Sequence, residues 1–147
     1  MCWSVTYRPK RQKAKEDIKV FKILDKNGRS CVYGHQYEKG ITYNLGNKLE
    51  VSHKIKSRFW EINEGFHSFD EFIIFCRRHT GHYARVKASY LFGLYGWYNI
   101  VAICTIPKGA SYYYDEHEGV YVSDSIRCDE MIPLGEFLEK NPDRLIP

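Results

Sequence analysis

The chain has 147 residues and a net charge of +4, from 22 Lys and Arg against 18 Asp and Glu. That length suits one domain, residues 1–147, with a real hydrophobic core, and the charge is too small to imply nucleic-acid binding by itself. No apolar run approaches the roughly 20 residues of a membrane span and the N-terminus lacks an apolar signal core, so a cytoplasmic protein is expected.

Residues 1–15 form a basic N-terminal arm carrying Arg8, Lys10, Arg11, Lys13 and Lys15. A solvated arm is the ordinary outcome, and contact with phosphates or an acidic partner is the functional one. Ile18–Leu24 alternates as a strand, with Ile18, Val20 and Lys22 on one face and Phe21 and Ile23 on the other. Asp25-Lys26-Asn27-Gly28 is a hairpin turn, because Asn-Gly tolerates positive φ. Ser30 to Tyr33 is the partner strand, and Ile41 to Leu45 another. Residues 49–55 fit either element type, and residues 59–62 suit extended chain.

A helix is predicted from Phe69 to His79. Ser68 is its N-cap and Glu71 completes a capping box. Phe69, Phe72, Ile73 and Cys76 recur at helical spacing, and Gly81 suits the C-terminus. From His82 to Tyr90 the chain alternates, with Tyr83, Arg85 and Lys87 on a polar face. Residues 92–97 are a glycine-punctuated aromatic loop.

Ile100–Ile106 is short, β-branched and closed by Pro107, which marks a buried central strand. Pro107-Lys108-Gly109 turns the chain into a strand at Ser111 to Tyr114. A polar turn then leads to Val120–Val122. We read these three strands as a meander at the centre of the core. Ile126 to Met131 is a final strand. Pro133 starts a short helix, Leu134–Lys140, and Asn141-Pro142 stops it.

Chemistry-bearing motifs are sparse. The five cysteines are at least 24 residues apart, so no zinc pair forms, and free thiols are expected. The six histidines make neither HxH nor HExxH. Phosphate-loop, dinucleotide and nucleophile-elbow motifs are missing, so neither metal nor cofactor is expected. Glu116-His117-Glu118 is a paired-carboxylate turn, a pattern that is usually solvated charge.

The segments MCWSVTYRP, AKEDIKVFKIL, YGHQYEKGITYNLG, GFHSF and IPKGASYYYDEHEGVYVSDSI resemble a family of short hypothetical proteins. That family, a domain of unknown function, occurs in Bacteroides-type bacteria and their phages, and the resemblance implies that setting. GFHSFDEF, HYARVKASY and EHE are also loosely similar to the ADP-ribosyltransferase-like fold, which implies a transferase using Glu118.

The expected fold is α+β, a single domain with a mostly antiparallel curved sheet, one main packed helix and a short C-terminal helix. The expected function is that of a small accessory protein, binding a partner or an anionic, nucleotide-like ligand without catalysis. The alternatives are the transferase and a nucleic-acid binder. The candidate ligand site is His67, Arg85, Lys87, Tyr112 and Tyr114: a helix start, one strand face and two tyrosines.

Overall fold

The computed structural model describes residues 3–5, 7–30, 35–46, 49, 51–53, 60–62, 64–70, 100–117 and 119–141. Among the described residues eleven strands precede one helix: β1 Trp3–Val5, β2 Gln12–Lys13, β3 Ile18–Leu24, β4 Thr42–Asn44, β5 Val51–His53, β6 Trp60–Ile62, β7 Phe66–Phe69, β8 Ile100–Ile106, β9 Ser111–Asp115, β10 Val120–Ser123, β11 Ser125–Pro133 and α1 Leu134–Lys140. They form a large sheet in the order β2-β9-β10-β7-β3-β8-β11-β4 and a small one in the order β1-β6-β5. Every pairing is antiparallel.

Chain connectivity forces the large sheet to curl. β10 and β11 lie four positions apart, about 19 Å in a flat sheet. Asp124 alone links them, and two residue steps reach only about 7 Å. Asp124 also ties the ends of the sheet together. Its amide donates to Ser111 O at 3.0 Å, its carboxylate accepts from Ser111 N at 3.0 Å, and its carbonyl accepts from Leu45 N at 2.8 Å. Tyr43 on β4 and Phe66 on β7 are four positions apart as well, yet their ring centroids are 6.5 Å apart. Those rings mark the concave face.

Alternation along each strand then fills both faces. Val20, Leu24, Phe66, Cys104, Ile106 and Ile126 pack on the concave side. Phe21, Phe69, Val101, Val120 and Val122 pack on the convex side, beneath Val5 and Ile62 of the small sheet and Leu134 and Phe137 of α1. Phe21 meets Phe137 edge-to-face at 6.3 Å. Pro133 starts α1 with a φ of −52°, and the Asn141 amide and side chain both donate to Phe137 O.

The expected main helix is corrected. Ser68 and Phe69 lie in β7, whose four residues pair with β10. A capping box contributes about 1 kcal/mol, less than burying Phe66 and Phe69 on opposite faces of a sheet. The architecture is therefore mostly antiparallel sheet, and α1, of seven residues, is the one helix among the described residues. Residues 71–99, with the rest of the expected helix and the strand from His82 to Tyr90, lie outside the described residues.

The expected meander is also corrected. β9 and β10 pair, but β8 sits between β3 and β11. The 107–110 link bonds instead to the segment just before β3: Gly109 N donates to Ala14 O, Ala14 N to Ala110 O, and Lys108 N to Asp17. The basic arm is solvated, with Arg8, Lys10, Arg11, Lys13 and Lys15 exposed, and it is tied to the body. It holds β2, the Arg8 guanidinium lies 5.5 Å from the Trp60 ring centroid, and Arg11 donates to Leu49 O.

Candidate functional site

The sequence SYYYD alternates on β9, so Tyr112 and Tyr114 share one face and Tyr113 and Asp115 take the other. Tyr121 on β10 is the register partner of Tyr114, and Ser68 on β7 is the partner of Tyr121. Phe21 pairs with Phe69, so the antiparallel register carries Lys22 to Ser68. Tyr114, Tyr121, Ser68 and Lys22 thus form one row across four strands of the concave face.

The row is aromatic at one end and cationic at the other. Tyr114 and Tyr121 are stacked, with centroids 4.4 Å apart and planes at 23°. Tyr112 lies 5.6 Å from Tyr121. All three tyrosines are half-buried. The Tyr114 hydroxyl donates to Asp70 Oδ2 at 2.6 Å, and the Tyr112 hydroxyl to Gln12 Oε1 at 3.2 Å. Burial, then the bond to Asp70 and its charge, push the Tyr114 hydroxyl up from its ordinary value. Burial and Asp70 do the same to Tyr121, so both remain protonated donors at neutral pH.

Lys22 is only 8% exposed. Its ammonium donates to His67 O and lies 5.2 Å from the Tyr37 ring centroid. Tyr37 in turn meets His35 and Tyr43 edge-to-face at 4.6 and 5.1 Å. Between the two ends, the Ser68 and Ser123 hydroxyls are fully buried. Among the described residues neither hydroxyl, nor Asp70 Oδ1, has a hydrogen-bond partner. Each such atom costs about 1–3 kcal/mol unless something satisfies it.

Of the expected ligand residues, the structure brings Tyr112 and Tyr114 together here. His67 is the register partner of Val122, so its side chain points to the convex face, where Nδ1 contacts Gly65 O at 3.1 Å. Arg85 and Lys87 lie outside the described residues, as does Glu118; Glu116 and His117 are exposed on the turn after β9. Sequence reasoning missed Lys22, Ser68, Asp70 and Tyr121. Lys22 had a usable signal, a charge on the same alternating row as Val20.

A small cleft between the two sheets is lined by Val5, Tyr7, Ile62, Asp115 and Val122. There the Tyr7 hydroxyl donates to Asp115 at 3.3 Å, and burial, helped by that carboxylate, pushes it up to about 12. Among the described residues no three His, Cys, Asp or Glu gather as a metal site, and no helix is long and apolar enough to cross a membrane. No protein-family model, curated protein or solved structure matches the chain.

Proposed function

We propose that this chain is a small cytoplasmic accessory protein that binds a nucleotide-like anionic ligand on its concave face, without catalysis. The row Tyr114–Tyr121–Ser68–Lys22 carries the proposal. A planar base stacks on the tyrosine pair. Ser68 and Asp70 Oδ1 meet its polar edge or sugar. Lys22 stands two strands from Tyr121, about 10 Å away, and supplies positive charge for a phosphate. Stacking, hydrogen bonding and charge are what binding needs.

Calorimetric titration with adenosine monophosphate, adenosine and inorganic phosphate tests this. The monophosphate should bind more tightly than either fragment. Tyr121→Leu should weaken it about 5- to 150-fold, since an aromatic stack contributes about 1–3 kcal/mol per base. No heat at millimolar monophosphate, or equal binding by Tyr121→Leu, would contradict the proposal.

One observation favours a second reading, single-stranded nucleic acid. β2, inside the basic arm, pairs with β9 beside Tyr112, and Lys10, Lys13 and Lys15 are exposed along it. Oligonucleotide binding that falls steeply between low and moderate salt would support it. NAD turnover would instead favour the transferase.

A further inference from the structure

Cys104 and Cys128 are register partners across β8 and β11. Both are free thiols, fully buried on the concave face. Opposed residues of antiparallel strands have Cα atoms about 4.5–5.5 Å apart, inside the window a disulfide accepts. The Cys128 thiol donates to Glu130 O at 3.9 Å.

The surroundings suit chemistry at one sulfur. The neighbouring Cys104 thiol, with help from the Lys22 charge, holds Cys128 below its ordinary value against burial and the Asp129 carboxylate, while Cys128 and burial push Cys104 up. Lys22 and Val20 sit beside the pair on β3, opposite Ala102 and Cys104. The β8–β11 register slips immediately after Cys128, where Asp129 is the extra residue, so β11 bends there. β4 pairs with β11 at Ser125 to Arg127, and the Gly40 amide extends that cover by donating to Cys128 O at 2.6 Å.

We propose that Cys104 and Cys128 form an oxidisable dithiol site that closes to a cross-strand disulfide with hydrogen peroxide as the oxidant. The Cys128 thiolate attacks one peroxide oxygen and the O–O bond breaks. Sulfenic acid forms, and the departing hydroxide takes a proton and leaves as water. Cys104 then attacks that sulfur, the S–O bond breaks, and the hydroxyl leaves with the Cys104 proton as a second water. Two thiols lose two electrons, and one peroxide becomes two waters. Burial makes local opening of β11 the gate, and closure staples β8 to β11 beside Tyr37.

The test uses the full chain with Cys2, Cys31 and Cys76 changed to Ser, treated natively with hydrogen peroxide and then denatured in an alkylating reagent. The expected product is 2 Da lighter, takes no alkyl group, reverts with dithiothreitol, and yields one peptide pair joining positions 104 and 128. Adding Cys104→Ser should leave a sulfenic acid on Cys128 that dimedone traps. Lys22→Met should slow closure severalfold at pH 7 and move its pH profile upward, whereas Lys22→Arg should restore the rate. If the triple variant does not fold, peptide mapping of the oxidised wild-type chain reads the same bond. Two alkyl groups on the peroxide-treated triple variant, or oxygen added at both sulfurs without a bond, would overturn the proposal.

Discussion

The Tyr114 hydroxyl donates to Asp70 Oδ2 at 2.6 Å while its ring stacks on Tyr121 at 4.4 Å. One side chain thereby ties β9 to the end of β7 across β10. Tyr114→Phe keeps the stack and removes the bond. A hydrogen bond to a charged group contributes about 1.5–3 kcal/mol, less where solvent screens it, so a loss of about 1 kcal/mol is expected. Urea unfolding checks it; an unchanged midpoint would show that the bond contributes nothing.

Ser68→Ala separates two accounts of the same residue. As a helix N-cap, Ser68 would contribute about 0.5–2 kcal/mol, lost in the variant. In β7 its buried hydroxyl has no partner among the described residues. Removing it should leave stability unchanged or raise it by about 1 kcal/mol. A clear fall in the melting temperature would contradict the strand assignment.

Gly65 has a φ of +144°, and a Cβ there would lie 2.3 Å from Val122 Cγ1 and 2.9 Å from Leu49 Cδ1. Gly65→Ala should cost about 2–5 kcal/mol through overpacking and backbone strain together. Gly40 has a φ of +82° with nothing within 4 Å, so Gly40→Ala should cost only about 1 kcal/mol. Equal losses in chemical unfolding would show that packing around Gly65 is not the reason for glycine.

Stability should fall in strong alkali. Tyr7, Tyr37, Tyr114 and Tyr121 all have raised hydroxyls, with burial the largest cause in each. Unfolded tyrosines ionise from about pH 10 while folded ones keep their protons. The folded state then binds more protons, so their contribution is full below about pH 10 and is lost as pH rises through the folded values, about 12 for Tyr7. Asp129 works at the acid end. Burial raises its carboxyl, but Arg127 and Thr105 outweigh burial and hold it low. Its contribution is present above about pH 4 and is lost as pH falls through the folded value. Phenolate absorbance in native and urea-unfolded protein checks the alkaline part; coincident titrations would contradict it.

Several elements were legible because their local chemistry is strong. β3 and β8 have the alternation or β-branched run that a strand needs, and Gly28 and Gly109 take positive φ at the turns that contain them. Pro133 and Asn141 bound α1 where the residue types require. Strand order was not legible, because Asp124 and the 107–110 link place β10 and β9 through long-range pairing. β7 was hidden by its length: four residues cannot outvote the helical spacing of Phe69, Phe72, Ile73 and Cys76. Tyr112 and Tyr114 were readable as one strand face. Tyr121, Ser68 and Lys22 join them only through register, which no local pattern carries.

Tyrosine-ring NMR during titration with adenosine monophosphate tests the central claim most directly. The ring resonances of Tyr114 and Tyr121 should shift together and saturate, while those of Tyr7 and Tyr113, on the opposite side of the sheet, should stay in place. Saturating shifts confined to Tyr7 and Tyr113, or no shift of any tyrosine ring at millimolar ligand, would contradict binding on the concave face.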